Sequence, residues 1–322
     1  MKSVQMVAPG GPDAMLLSDL VLPAPQAGQV RVRHTAIGLN FIDTYHRSGL
    51  YPLPLPTGLG IEAAAVVEAL GAGVDGLSPG QRVAYCWGPP GAYGTHRLID
   101  AARLVPLPDT VSDEVAAAGL LKGCTVEFLV ERCARVQAGQ WALVHAAAGG
   151  VGLLLVQWLK HVGAHVIAMA GTADKVARAV AAGADHGLVQ SAGFSAEVRA
   201  LTGGRGVDVV FDGIGRDSFE ASLDSLKTRG LMVSYGNASG PVGDIDFGML
   251  ARKGSLFATR PTLFDYYGSR HDMVTHGGRV LEMLANGVLN VSIGQRYPLA
   301  DVAQAHRDLE SRRTSGSTVI LP

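Results

Sequence analysis

Val144–Lys175, "VHAAAGGVGLLLVQWLKHVGAHVIAMAGTADK", decides the fold. It reads as the end of an apolar strand, a turn of small residues, an amphipathic helix, a second apolar strand and a capped helix start. In the dinucleotide fingerprint G-x-G-x-x-G, the first glycine makes a tight turn and the second lets backbone approach pyrophosphate. The third lets the helix pack on the strand. Here the pattern is Ala147-x-Gly149-x-x-Gly152, with alanine in first place. An anion suits the helix start, Gly149, Gly150, Val151 and Gly152, because unbonded N–H groups and the helix dipole meet there. A chain with 42 glycines produces such matches by chance, so the weight lies in the placement after a strand and before a helix.

Outward from this stretch the pattern repeats. Apolar strands are predicted at 141–147, 165–170, 186–190, 207–212, 231–236 and 255–260, with helical patterns in most of the gaps. Six near-continuous apolar strands with crossovers predict a doubly wound parallel sheet covered on both faces. The second strand ends "AMAGTADK", where a ribose-binding carboxylate would favour NAD. Gly171 and Thr172 stand there instead, with Lys175 close behind, so NADPH is favoured over NADH. A plainer reading leaves Thr172 as a helix cap and Lys175 in solvent, its charge offset by Asp174.

From Gln29 to Gln140 the texture is different: "QVRVRHTAIG", "EAAAVVEAL" and "QRVAYCW" are strand-like and separated by Gly/Pro clusters. A helix is predicted from Ser112, whose hydroxyl caps a first turn holding Asp113 and Glu114. After Pro261 come a helical "HGGRVLEMLANG" and a closing strand, "STVILP", expected to return to the first domain. The expected domains are 1–123 with 262–322, and 124–261.

At 322 residues and 48% apolar, the chain is long enough for two cores. A formal charge of −1 without a basic run argues against nucleic acid as the main ligand, leaving a small molecule. Cys86, Cys124 and Cys133 follow no zinc or disulfide spacing and read as reduced thiols. The longest apolar run, near 151–159, is too short to span a bilayer, and the N-terminal residues lack a signal-peptide core. A cytoplasmic location is expected.

One segment resists a bland reading. "IGLNFIDTYHRSGLYP", Ile37–Pro52, crowds Asn40, Asp43, Tyr45, His46 and Tyr51 among apolar neighbours. Asp43 and His46 are spaced to meet on a helical turn, but no local motif supplies the third ligand that catalytic zinc needs. A surface or structural role for His46 is the expectation.

The longer motifs, "AIGLNFIDTYHRSGLYPLPLPTGLGIEAA", "LKGCTVEFL", "HAAAGGVGLLLVQW", "DGIGRDSFEASLDSLKTRGLMVSYGNASG" and "LESRRTSGSTVILP", resemble the bacterial quinone oxidoreductases. That family is the zeta-crystallin-like branch of the medium-chain dehydrogenase/reductase superfamily, and the resemblance runs along essentially the whole chain. It implies an α/β protein with a GroES-like, mostly β catalytic domain and a Rossmann NADPH-binding domain, in a homodimer joined through "SLFATR". The catalytic zinc ligands of the alcohol dehydrogenase relatives would fall near Asn40, Ile61 and Leu121. An amide and two hydrocarbon side chains do not bind Zn²⁺, so a metal-free enzyme is expected.

The resemblance also implies site residues. Asn40 and Thr125 would lie by the nicotinamide, with Tyr45 and Tyr51 lining the substrate pocket. Gly149, Gly150 and Val151 would hold the pyrophosphate, and Gly171, Thr172 and Lys175 the adenosine phosphate. Asn237 and Arg312 would be further cofactor contacts. Where some relatives place a tyrosine by that phosphate, Gln190 stands here, and Asp212 either touches the cofactor or bonds to nearby backbone. Quinones are already electrophilic, so alignment against a nicotinamide supplies much of the rate without a Lewis acid. The implied activity is NADPH:quinone reduction. Its rivals are an NADPH-dependent 2-alkenal or enone reductase, and a nucleotide-dependent RNA-binding or structural protein of the zeta-crystallin type.

Overall fold

Alternating polar and apolar residues from Gln29 to Leu39 build the longest strand of the molecule, with Val30, Val32, His34 and Ala36 turned inward. All 322 residues are described by the computed structural model, which forms two compact units, Met1–Cys124 with Tyr267–Pro322, and Thr125–Tyr266.

The first unit begins with β1 (Lys2–Met6), β2 (Leu16–Asp19) and the long β3 (Gln29–Leu39). They are followed by β4 (Thr57–Gly58), β5 (Ala63–Leu70), β6 (Arg82–Tyr85), β7 (His96–Asp100) and β8 (Val105–Pro106). Helix α1 (Phe41–Ser48) follows β3 directly, and α2 (Asp113–Glu127) starts where Ser112 Oγ accepts from Val115 N.

The second unit holds β9 (Trp141–Val144), β10 (His165–Ala170), β11 (His186–Val189), β12 (Val207–Asp212), β13 (Leu226–Ser234) and β14 (Phe257–Thr259). Between them run α3 (Gly150–His161), α4 (Ala173–Ala181), α5 (Phe194–Leu201), α6 (Phe219–Ser225) and α7 (Phe247–Arg252). The chain then returns to the first unit at Tyr267, through helical segments that include Gly278–Ala285, and ends in β15 (Ile293–Pro298), the helix Val302–Glu310 and β16 (Ser317–Leu321).

In the first unit a seven-stranded sheet runs β15-β16-β3-β5-β6-β8, with β7 on β3, beside a small sheet β2-β1-β4. All pairs are antiparallel except β15 with β16. Strand β16 lies against β3, Val319 opposite Gly38, so the last residues complete this sheet. Val4, Val30, Val32, Leu59, Tyr85, Tyr93 and Ile320 form its core. Burying each side chain of this size contributes about 1.5–3 kcal/mol.

The sheet of the second unit is parallel throughout, in the order β11-β10-β9-β12-β13-β14. The chain moves outward from β9 on one side, then crosses over to β12 and moves outward on the other. The reversal falls beside β9, where open α/β sheets hold ligands at the carboxyl ends of their strands. Leu143, Ile167, Met169, Val210, Leu223 and Met232 fill the core.

Three details depart from the sequence reading. Strand β9 stops at Val144, because Ala146 adopts a left-handed φ of 49° and turns the chain. Strand β13 starts at Leu226, earlier than the apolar run, because Leu226 pairs with Val207 ahead of a register shift. The outer strand β14 is only three residues long and mostly exposed, shorter than the run 255–260 that the sequence suggests.

Candidate functional site

The glycine turn follows β9 at the reversal point. Gly149 N donates to Ala146 O at 2.9 Å, and the first bond of the α3 ladder is Leu153 N to Gly149 O, also 2.9 Å. The N–H groups of Gly150, Val151 and Gly152 precede that bond and stand at the positive end of the helix dipole. A Cβ on Gly152 would lie 2.4 Å from Ala146 O and 2.7 Å from the Ala147 Cα, so only glycine lets the helix approach the turn. Gly149 and Gly150 put no side chain over these amides, so the turn fits a pyrophosphate.

At the carboxyl end of β10 the chain reads Ala170–Gly171–Thr172. Thr172 Oγ1 accepts from Lys175 N at 3.3 Å and caps α4, while a Cβ on Gly171 would meet nothing within 4 Å. The strand ends without a carboxylate, and Lys175 lies on the first turn of α4. These residues fit an adenosine carrying a 2′-phosphate better than one with a free 2′-hydroxyl.

Other residues of the second unit divide. Asp212 is fully buried, and its carboxylate accepts from Ile214 N, Gly215 N, Ser218 Oγ and Ser222 Oγ at 2.7–3.1 Å. All four donors belong to the chain just beyond β12, so Asp212 holds the turn together. Ser222 is also 2.9 Å from His145 Nε2, tying α6 to the residue before the glycine turn. Asn237, just beyond β13, has its amide between Gly236 O and Arg260 Nη2. Gln190 is exposed and bonds through its backbone to Ala170 O. Thr125 is half-buried near the end of α2, at the first residue of this unit. Arg312, in the first unit, takes a left-handed φ of 60° at the end of the C-terminal helix.

The polar segment of the first unit becomes α1 with Asn40 as its N-cap. Asn40 N donates to Asp43 Oδ2 at 2.9 Å, and Asn40 Nδ2 donates to Glu62 Oε2 at 2.8 Å. Glu62 has no exposed surface; its Oε1 accepts from Leu121 N at 2.6 Å, and Lys122 Nζ lies 3.6 Å from Oε2. At that distance the ammonium is an ion partner rather than a hydrogen-bond donor. Burial raises the Glu62 carboxyl, while Lys122, Asn40 and Leu121 N pull it back. The three positions aligned with zinc ligands therefore carry an amide, Ile61 and Leu121, and a carboxylate ties the first to the third. This donor set does not fit zinc.

Tyr45 and Tyr51 meet edge to face, ring centres 5.2 Å apart, and Tyr51 N donates to Tyr45 O. His46 is buried 6.2 Å from the Tyr51 ring, and it shares no group of three ligating side chains with Asp43. Asp43 Oδ2 accepts instead from Tyr93 Oη at 2.7 Å, and Tyr93 Oη lies 3.0 Å from His306 Nε2. Arg47 Nη1 reaches His306 Nδ1 at 3.1 Å and shares a bidentate pair with Glu310. Arginine only donates, so His306 Nδ1 accepts, Nε2–H donates to Tyr93, and Tyr93 donates to Asp43. Every bond in the chain points at Asp43, a carboxyl pushed up by burial to about 7.

Residues 26–109 match the alcohol dehydrogenase GroES-like domain family and residues 150–274 the zinc-binding dehydrogenase family. A quinone oxidoreductase of Pseudomonas aeruginosa is 44% identical over 327 residues, covering all of this chain and 99% of that protein. The chain belongs to the quinone oxidoreductase family of the medium-chain dehydrogenase/reductase superfamily. Within that family, the solved Escherichia coli quinone oxidoreductase complexed with NADPH superposes with a TM-score of 0.97, at 42% identity and full coverage of both chains. A 2-haloacrylate reductase of a Burkholderia species is 43% identical over 325 residues, 97% of this chain and 96% of that protein.

Asn40, Tyr45, Tyr51, Gly149, Gly152, Thr172 and Lys175 were all legible as candidates. Glu62, Lys122, Tyr93 and His306 were not singled out. Glu62 did leave a signal, as the one charge in the apolar run "GLGIEAAAVV". His306 left none, since "VAQAHRDLE" reads as an ordinary surface helix.

Proposed function

We propose that the protein is an NADPH-dependent quinone reductase that needs no metal. The observation that carries the reading is the family likeness over the whole chain, to quinone oxidoreductases of which one is solved with NADPH. When bound, NADPH supplies the hydride, and the chain binds and orients it.

In this reading residues 125–266 are the NADPH-binding domain, and 1–124 with 267–322 the catalytic domain. The amides of Gly150, Val151 and Gly152 take the pyrophosphate, and Gly171, Thr172 and Lys175 take the 2′-phosphate. Asn40 and Thr125 serve the nicotinamide end, with Asn237 and Arg312 as further contacts. The phenols of Tyr45 and Tyr51 donate hydrogen bonds to the quinone oxygen that gains charge as hydride arrives. A quinone spreads that charge over its conjugated ring, so no Lewis acid is required; an alcohol has no such route.

A homodimer joined along β14 is supported by the unpartnered outer edge of that strand and by exposed Phe257 and Phe247, 60% and 84% accessible. Three free cysteines suit a reducing, cytoplasmic location, and no helix is long and apolar enough to cross a membrane.

The likeness to a 2-haloacrylate reductase favours a second reading, reduction of an electron-poor alkene. Following NADPH oxidation against quinones, alkenals, 2-haloacrylates and simple aldehydes separates them. Quinones turning over fastest, with no aldehyde reduction, is the expected result; alkene turnover far above quinone turnover would replace the first reading with the second.

A further inference from the structure

We infer that Glu62 is a positioning residue that fixes Asn40 as a hydrogen-bond acceptor toward the nicotinamide riboside of the cofactor. The inference rests on the proposed NADPH reading and deepens it.

An asparagine amide has a donating end and an accepting end that differ little in shape, so its neighbours decide which way it faces. Here Asn40 Nδ2 faces two groups that only accept, Glu62 Oε2 at 2.8 Å and Gly38 O at 3.5 Å. Oδ1 is left at the start of α1, where Asn40 and Asp43 form a capping box. A carbonyl oxygen has two lone pairs, so a cap to the Asp43 amide still leaves one for a ligand. That ligand atom must be a donor, and the nicotinamide riboside offers two kinds, the ribose 2′- and 3′-hydroxyls and the carboxamide NH₂.

Glu62 is built to impose this choice. Its other oxygen is occupied by Leu121 N at 2.6 Å, so the carboxylate cannot rotate away. Lys122, with a side chain only 6% exposed, holds a positive charge 3.6 Å from Oε2 and favours the ionised acid in a buried site. Lys122 Nζ makes no hydrogen bond, so its place in the fold is that of a counter-charge. Backbone closes the remaining side: a Cβ on Gly38 would stand 2.4 Å from Glu62 Oε2 and 2.1 Å from Ala117 O.

Glutamine at this position breaks the arrangement in a specific way. Its single carbonyl oxygen must serve Leu121 N, which turns its NH₂ toward Asn40. Asn40 then flips to offer Oδ1 inward and leaves NH₂ as its open end, a donor facing donors. Exchanging both residues, N40D with E62Q, restores the bond between positions 40 and 62 and the bond from Leu121 N at unchanged net charge, and gives up only the long 3.5 Å bond to Gly38 O. The introduced glutamine accepts from Leu121 N and donates to the introduced aspartate, whose second oxygen is again an open acceptor.

The test is the NADPH dissociation constant, by fluorescence titration, for wild type, E62Q and N40D/E62Q, with thermal midpoints measured alongside. E62Q is expected to bind roughly 10- to 100-fold more weakly, the loss of one buried hydrogen bond replaced by a donor–donor clash. The double variant is expected to return to the wild-type range. Repeating the titration with the reduced 3-acetylpyridine analogue, which lacks the carboxamide NH₂, tells which donor Asn40 meets. A persistent E62Q defect there names a ribose hydroxyl; a vanished defect names the carboxamide. NADPH binding by E62Q equal to wild type, or a double variant no better than E62Q, overturns the inference. If E62Q does not fold, the double variant decides alone: wild-type affinity supports the inference and weak binding overturns it. Failure of the wild type itself to bind NADPH would sink the functional reading and this inference with it.

Discussion

Tyr93 Oη donates to Asp43 Oδ2 over 2.7 Å, and both residues are fully buried. The bond ends a polarised chain that starts at Arg47 and runs through His306, and two of its members, His306 and Asp43, respond to pH with opposite sign. Burial and the Arg47 charge hold the His306 imidazole down to about 3, against 6.5 when free. Between those values the unfolded chain binds a proton that the folded one refuses, so stability is lost as pH falls from 6.5. Asp43, pushed up to about 7 from 3.8, works the other way. The folded state holds its proton longer, and this contribution declines as pH rises from 3.8 toward 7.

Replacing His306 with Gln keeps an acceptor for Arg47 and a donor for Tyr93 but removes the titration. The slope of unfolding free energy against pH between 4 and 6.5 is expected to become less positive, by at most about 1.4 kcal/mol per pH unit. Asp43→Asn is expected to make that slope more positive over the same range. Chemical denaturation at a series of pH values reads both, and unchanged slopes would show that the chain does not titrate as its burial requires.

Two glycines of the second unit separate packing from ligand contact. Gly152→Ala forces a Cβ onto the backbone of Ala146 and Ala147 and is expected to cost about 1–3 kcal/mol of stability along with NADPH binding. Gly171→Ala meets no atom of the protein and is expected to leave the thermal midpoint unchanged. Any fall in NADPH affinity in that variant therefore reports the cofactor itself, and wild-type affinity would move the adenosine phosphate away from Gly171.

Removing the Lys175 charge by Lys175→Ala is expected to lower kcat/KM for NADPH by about tenfold while leaving the value for NADH nearly as it was, because only the former carries the 2′-phosphate. Equal losses with the two cofactors would return Lys175 to a purely structural role.

For the tyrosine pair the expected effect is on chemistry rather than folding. Tyr45→Phe and Tyr51→Phe keep the edge-to-face contact at 5.2 Å but remove the phenol donors. Each is expected to lower quinone kcat by roughly tenfold or more, if its hydroxyl meets the charged oxygen. Unchanged kcat and KM in both would leave the rings as packing only.

Legibility followed the kind of interaction involved. The parallel sheet was visible because its strands are apolar runs separated by helical spacing, and the nucleotide turn because glycine is the only residue that fits at 152. The limits of β9 and β13 were not visible, since they depend on a left-handed alanine and on a register shift set by a neighbouring strand. The buried polar chains were the least legible part. Glu62 meets Leu121 of α2, and Tyr93 joins Asp43 of α1 to His306 of the C-terminal helix, only because segments far apart in sequence converge, and no local spacing encodes such pairs. Asp212 shows the converse, a carboxylate at a suggestive strand end whose four donors all lie within ten residues of it.

The most direct test of the central claim is turnover of NADPH with a quinone by protein stripped of metal and assayed with a chelator present. Quinone reduction at the rate of untreated protein is predicted, since Asn40, Ile61 and Leu121 offer zinc no ligand set. Activity that disappears on stripping and returns with stoichiometric zinc would contradict the account.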